Sequence, residues 1–307
     1  MKILITGGAG FIGSHLADAF LAAGHHVAVI DNLSSGHFEQ VPKAARFYQL
    51  DIRSEEAAGV VIGEKPDVLC HHAAQMNVRF SVENPVYDAD VNVLGMLRML
   101  EAARAAGTSL VLFSSSGGTV YGDVDVLPTP EGQPTVPLCP YGVSKLTGEH
   151  YLEYYRNTFG MRYVALRYAN VYGPRQDPHG EAGAVAIFSR MLLKGETARI
   201  YGDGLATRDY VFVGDVVKAN LAAVGTSHAC GAINIGTGRE TSVVELYERL
   251  RQLAGSDIAA QHVAPKDGEV RRSVLDPARA QQVLGWKPSV SLDEGLAATV
   301  DFFRSRP

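Results

Sequence analysis

"GGAGFIGSH", Gly7 to His15, comes directly after the apolar run "KILIT" of Lys2 to Thr6. Four glycines fall within seven positions where a strand must hand over to a helix. Gly7, Gly10 and Gly13 have the spacing G-x-x-G-x-x-G. In a strand–turn–helix context such glycines permit the tight turn, let a charged group approach the backbone, and let the helix pack on the strand. The amides and dipole at the helix N-terminus then meet negative charge. A plain strand–helix turn uses glycine too, so the decision rests on the second strand.

That strand, the apolar run "HVAVID", ends in Asp31, 18 residues after Gly13. An acidic side chain at this strand end accepts hydrogen bonds from the adenosine ribose hydroxyls and repels a 2′-phosphate, which selects NAD over NADP. Further short runs, "ARFYQLD", "DVLCHHAA" and "SLVLFSSS", alternate with helical patterns, the longest from about residue 85 to 106. Alternation of this kind predicts βαβ units and an α/β fold, a doubly wound (Rossmann) parallel sheet. The continuous hydrophobicity of "VAVI" and "LVLF" fits strands buried on both faces. "LDI" (Leu50 to Ile52) and "HHAAQ" (His71 to Gln75) bring small or polar groups to strand ends where a cofactor would lie. His71 and His72 read as structural histidines at the carboxyl edge of a sheet.

After about residue 170 the character changes. "GPRQDPHGEAG" (Gly173 to Gly183) is a polar loop rich in Gly and Pro. A strand-like "AINIGTG", a helix from about residue 241 to 253 and a final helix complete the chain. It is therefore expected to divide into a dinucleotide-binding domain over residues 1–170 and a smaller mixed α/β substrate lobe over 171–307, with segments returning to the first.

The 307 residues suffice for a full core, and 46% hydrophobic with 20% charged residues is ordinary for a globular protein. A net charge of −5 offers no basic surface for nucleic acid or an anionic membrane. Cys70, Cys139 and Cys230 are far apart and odd in number, which fits a reducing compartment rather than a disulfide framework. No CxxC or HExxH spacing supports a metal site, and neither a signal peptide nor a run of roughly 18 apolar residues is evident. A cytoplasmic protein is expected.

The chemistry centres on "CPYGVSK". Tyr141 and Lys145 are four residues apart, so their side chains share one helix face. An ammonium beside a phenol favours the phenolate, turning a tyrosine into a usable general base. The order along the chain gives the pair its weight: glycine loop, then "LFSSSGG" at a strand end, then Tyr-x-x-x-Lys.

On "GGAGFIGSH", "DNLSSG", "HHAAQ", "VNVLG", "SSSGGTVYG", "YGVSK", "LRYANVYGPRQDPHGEAG", "RDYVFVGDV" and "NIGTG", the chain resembles the extended short-chain dehydrogenase/reductase superfamily, and within it the UDP-glucose 4-epimerases. The resemblance spans essentially the whole length. It implies a nucleotide-sugar 4-epimerase that holds NAD, binds a UDP-sugar and works as a homodimer through two long helices. Tyr141 is then the base, and Lys145 binds the nicotinamide ribose and tunes the tyrosine. Ser116 relays or orients the proton, with Ser115 as a substitute because Gly117 and Gly118 lengthen the stretch by one residue. Cofactor contacts are implied at Gly7, Gly10, Phe11, Ile12, Gly13, Asp31, Asn32, Leu33, Ser35, Gly36, Asp51, Ile52, Ala73, Ala74, Gln75, Asn92, Ser114 and Tyr168. Met76 stands where a lysine is usual, so one phosphate contact is missing or replaced.

Substrate contacts are implied at Ser116, Asn170 and Arg208, the last on the diphosphate, with Lys266, Arg271 or Arg272 completing the clamp. Ser273 matches a sugar-pocket position where tyrosine, in members restricted to glucose and galactose, crowds the C2 substituent. Serine there predicts room for an N-acetyl group. Two other readings stay open at this point: another 4-keto chemistry (UDP-glucuronate decarboxylation or 4,6-dehydration), and a non-enzymatic NAD-sensing regulator, a class that commonly loses the Tyr/Lys pair kept here.

Overall fold

The computed structural model describes residues 1–178, 183–265 and 270–306. In the first half the elements run β1 (Lys2–Thr6), α1 (Phe11–Ala22), β2 (His26–Asp31), β3 (Arg46–Gln49), α2 (Glu55–Glu64), β4 (Val68–His71), α3 (Val78–Glu83), α4 (Pro85–Ala89), α5 (Met96–Ala106), β5 (Leu110–Ser116), α6 (Gly117–Val120), α7 (Pro140–Phe159) and β6 (Arg162–Tyr168). The second half holds β7 (Asn170–Tyr172), α8 (Ala184–Leu193), β8 (Arg199–Tyr201), β9 (Thr207–Arg208), β10 (Tyr210–Phe212), α9 (Val213–Gly225), β11 (Gly231–Ile235), β12 (Thr241–Ser242), α10 (Val243–Ala254), β13 (Gln261–Val263), β14 (Arg272–Ser273), α11 (Ala278–Leu284) and α12 (Leu292–Arg304).

Seven strands form one parallel sheet in the order β11-β6-β5-β4-β1-β2-β3. This is the doubly wound sheet expected from the sequence, and β11 joins it from far along the chain. Alternate residues of each strand feed two cores. Ile3 and Ile5 pack with Leu16 and Phe20 of α1 on one face, while Leu4 and Ile30 pack with Val61 and Leu100 on the other. The strand order reverses between β1 and β4, which opens a crevice at the carboxyl ends of the strands, where open α/β sheets take their ligands. A third core, around Tyr172, Phe188, Tyr247 and Leu296, holds α8, α10 and α12 together as the smaller lobe.

Helix starts coincide with their caps. Ser54, Ser242 and Ser291 each accept an amide N–H at the starts of α2, α10 and α12, and Glu294 closes a capping box on Ser291. Helix α1 starts after Gly10 with no side chain over its free amides.

The long helix expected over residues 85–106 is interrupted. Between α4 and α5 lies a π-helical turn, Asp90–Gly95. Asn92 in this turn reaches the peptide of Gln75, accepting its N–H (2.8 Å) and donating to its C=O (2.9 Å). Turns of this kind often mark functional positions in helices. Among the described residues no helix is long and apolar enough to cross a membrane.

Candidate active site

A cavity of about 660 Å³ opens along the carboxyl edge of the large sheet. One end is the glycine loop. Gly7 has φ +73°, and a Cβ there would lie 2.6 Å from the Ala73 nitrogen; at Gly13 it would lie 2.1 Å from the Gly7 carbonyl oxygen. The loop is therefore closed to side chains by its own backbone, and the uncapped amides of α1 face a cradle open to an anion.

Asp31 lies beside it, 8% exposed. Its Oδ2 accepts the Ala9 N–H (2.9 Å) and its Oδ1 accepts the Leu33 N–H (2.8 Å). Leu33 adopts φ +60°, and Gly36 packs so closely on Ala9 that a Cβ would meet its carbonyl carbon at 2.8 Å. Asn32, Ser35, Asp51 and Ile52 continue the wall. Asp51 is held well below the usual carboxylate range by its hydrogen bonds with Arg53, against the cost of burial.

Beyond lie Ala73, Ala74, Gln75, Ser114, Tyr141 and Lys145. Helix α7 carries the last two, with Pro140 in its first turn and Cys139 Sγ accepting the Gly142 N–H (3.4 Å). The Lys145 Nζ sits 4.9 Å from the centre of the Phe113 ring and 5.6 Å from that of Tyr141. Burial pulls Lys145 down to about 8, opposed by the Asp88 carboxylate. Burial likewise pushes the Tyr141 phenol far up, and Asp88 and then Cys139 add to the rise. The sequence predicts an ammonium that lowers the phenol. The structure shifts the phenol the other way, because loss of water around the phenolate dominates.

Asp88 itself is fully buried and braces this corner: it accepts from Gln75 Nε2 (2.8 Å), Asn92 Nδ2 (2.9 Å) and Ser144 Oγ (2.6 Å). No motif in the sequence marks this residue.

The serines separate by strand parity. Ser114 lines the cavity. Ser115 points the other way, its Oγ donating to Glu149 (2.5 Å), which is paired with Arg167 at 2.6 Å. Ser116 ends β5 and precedes α6, on the same strand face as Ser114 but outside the lining residues. His71 shares a hydrogen bond with Thr6 Oγ1 (2.9 Å), and His72 shares one with the Tyr168 hydroxyl (3.0 Å), which places Tyr168 behind the cavity wall. Burial first, then the Lys145 charge, depresses both histidines to about 3.

Asn170 lines the cavity. Arg208 and Ser273 lie outside the lining set, directly opposite one another where β9 and β14 pair in parallel. Arg271 pairs with Asp203 (3.0 Å) and Arg272 with Glu240 (2.6 Å), both near the surface. Lys266 lies outside the described residues. Met76 borders the cavity with its side chain largely in solvent. A cation that the motif reading passed over, Arg175 of "GPRQ", lines the same cavity, held by Asp18 of α1 (2.7 Å) with its backbone at φ +68°.

A parallel doubly wound sheet, a glycine cradle with an acid at the second strand end, and a Tyr-x-x-x-Lys pair in the same cavity define a dinucleotide-dependent enzyme. The family model "NAD dependent epimerase/dehydratase family" matches residues 3–236. The UDP-glucose 4-epimerase of Mycolicibacterium smegmatis is 48% identical over 311 residues, covering 100% of this chain and 99% of that protein. Two solved structures superpose closely. The Thermotoga maritima UDP-glucose 4-epimerase with UDP-glucose gives a TM-score of 0.97 at 47% identity, covering 99% of each chain. The Thermus thermophilus enzyme in complex with NAD gives 0.95 at 44%, covering 100% of each. The chain belongs to the NAD dependent epimerase/dehydratase family, in the branch of the UDP-glucose 4-epimerases.

Proposed function

We propose that this chain interconverts UDP-glucose and UDP-galactose at C4 of the hexose, with NAD as its cofactor. The observation that carries the reading is a single cavity bordered by the glycine loop and Asp31 as well as by Tyr141 and Lys145. The cradle that a Cβ would fill at Gly7 and Gly13, and the anchored carboxylate of Asp31, fit a dinucleotide without a 2′-phosphate. When bound, NAD supplies the hydride acceptor and donor that no side chain can provide.

The chain's own groups do the rest. Gly7, Gly10, Phe11, Ile12 and Gly13 cradle the pyrophosphate, with Arg175 as the cation that replaces the lysine absent at Met76. Asp31 takes the adenosine ribose, flanked by Asn32, Leu33, Ser35 and Gly36, and Asp51 and Ile52 border the base. Ala73, Ala74, Gln75, Ser114 and, from behind, Asn92 and Tyr168 shape the rest of the cofactor half. Tyr141 takes the proton of the sugar 4-hydroxyl as C4 becomes a ketone, and returns it once the sugar has turned its other face. Lys145 holds positive charge against the phenolate and binds the nicotinamide ribose. Ser116 orients the hydroxyl. Asn170 contacts the substrate, and Arg208, with Lys266, Arg271 or Arg272, holds the diphosphate.

Residues 1–170 thus form the cofactor domain and 171–307 the nucleotide-sugar lobe, with β11 and α9 returning to the large sheet. The free cysteines Cys70, Cys139 and Cys230 support a reducing, cytoplasmic setting. A homodimer is supported by apolar side chains left in solvent on α4, the π turn and α7, namely Val86, Leu94, Val143 and Tyr154. The activity is tested by supplying UDP-galactose to the purified protein and coupling UDP-glucose formation to a dehydrogenase. Loss of water from the sugar, or release of carbon dioxide from UDP-glucuronate, in place of epimerisation would overturn the reading.

A further inference from the structure

Two motifs of the second half, "RDY" and "NIGTG", meet at one buried carboxylate. Asp209 is 1% exposed. Its Oδ1 accepts the Thr237 N–H (2.9 Å) and hydroxyl (2.6 Å), and its Oδ2 accepts from the amides of Thr237 (3.0 Å), Gly238 (3.2 Å) and Leu275 (3.2 Å). The fit is close enough to dictate composition. A Cβ on Gly236 would stand 2.4 Å from Asp209 Oδ2, and Gly238 sits at φ +71°. The backbone of Asp209 carries the tie further, since its N–H donates to the Ser273 carbonyl (2.9 Å) and its C=O accepts from the Asn170 N–H (2.9 Å). Leu275, pinned by the carboxylate, packs against the turn after Ser116: a Cβ on Gly117 would meet Leu275 Cδ1 at 2.4 Å.

We infer that Asp209 is a positioning residue that assembles the nucleotide-sugar half of the site. It ties Asn170, Arg208, Ser273 and the Ser116–Gly117 turn into one rigid unit before any ligand arrives. The inference rests on the proposed binding of a nucleotide sugar in this cavity. Preorganisation is the physical point. A diphosphate clamp built from two-residue strands such as β9 and β14 has few ladder bonds of its own, so its geometry depends on what pins those strands. Five hydrogen bonds converge on a carboxylate shut away from water, and such bonds are the stronger kind. None of the three donor residues, Thr237, Gly238 and Leu275, borders the cavity. The cofactor half is anchored independently, through Asp31 and Asp88.

The test separates the two halves by titrating UDP and NAD, apart, into the ligand-free protein, and by measuring KM and kcat. In Asp209→Asn an amide N–H2 must face backbone donors. UDP affinity should fall about tenfold or more, the factor of losing one charge-assisted bond, and KM for UDP-glucose should rise in step. NAD affinity should stay within about twofold, an energy well below that of one hydrogen bond. Thr237→Val removes only the hydroxyl bond and should shift UDP binding in the same direction by less. It decides the matter if Asp209→Asn does not fold. Wild type that failed to bind UDP would overturn the functional reading and this inference with it. Wild type that bound, with variants binding UDP equally well or losing UDP and NAD in parallel, would overturn the inference alone.

Discussion

The Lys145 ammonium lies 5.6 Å from the centre of the Tyr141 ring, the lysine buried and the tyrosine half-buried on the wall of the cavity. Burial drives the two in opposite directions, the lysine down to about 8 and the phenol up. Each shift opposes the charged form that the chemistry needs. On the proposed mechanism the phenolate needs the Lys145 charge beside it, and the alkaline limit of activity is expected to follow the lysine. Its ammonium is present below about 8 and is lost above. kcat/KM, which reports the free enzyme, should fall as pH rises through about 8. Lys145→Arg, slower throughout, should lose that limb because a guanidinium keeps its charge. Tyr141→Phe should fold, bind NAD and lose about 10²-fold or more in turnover. An alkaline limb that survived in Lys145→Arg would assign it to another group.

Asp31 cannot swing away from a ligand, because both of its oxygens already hold backbone amides, from Ala9 and Leu33. A 2′-phosphate would face a fixed carboxylate, a repulsion of about 4 kcal/mol at contact distance near a protein surface. NADP should therefore bind about 100-fold or more weaker than NAD in a calorimetric titration. Asp31→Ala should erase the preference and weaken NAD too, since the glycine loop loses its anchor. Equal affinity of wild type for the two dinucleotides would contradict this account.

The apolar side chains on α4, the π turn and α7 predict association. Val86 is 81% exposed and Leu94 53%, and with Val143 and Tyr154 they put several apolar side chains into water on these segments. Sedimentation should give a species of twice the 32.9 kDa chain, and Val86→Glu should shift it to monomer by placing a charge in the seam. A wild type that sediments as a monomer would remove the dimer.

What could be read from the sequence was local. The glycine loop, Asp31 and the Tyr141–Lys145 spacing each depend on a few consecutive residues or on one helical turn, and the doubly wound sheet comes from alternating runs. What escaped depends on residues far apart. Asp88 meets Ser144 across 56 positions, and Asp209 meets Leu275 across 66. The π turn carries Asn92 to Gln75, a contact that helical periodicity does not show. The upward shift of the Tyr141 phenol escaped for the same reason. Spacing shows that an ammonium is near, whereas the opposing loss of water is a property of the packed fold. Strand parity sets Ser115 on the face opposite Ser114, and the depth of Glu149 behind it is visible only in three dimensions.

The proposed tolerance for a larger C2 substituent rests on Ser273. In sequence, a slip of one or two residues would put Arg271 or Arg272 at this position. In the structure Arg272 is turned to the surface and Glu240, and Arg271 to Asp203, while Ser273 stands opposite Arg208 across paired strands. Side chains alternate along a strand, so Ser273 faces away from the Arg272–Glu240 pair. A serine carries none of the bulk of an aromatic ring, and it sits beside the strand that carries Arg208, the proposed diphosphate contact. The expected consequence is that UDP-N-acetylgalactosamine is turned over as well as UDP-galactose, and that Ser273→Tyr suppresses the N-acetyl reaction by about 10-fold or more, the cost of a steric clash of a few kcal/mol. UDP-galactose, with only a hydroxyl at C2, should keep most of its kcat/KM in that variant. Parallel loss of both reactions would mean that the tyrosine disturbs the β9–β14 pairing, and Ser273 would then not be the wall that the C2 substituent meets.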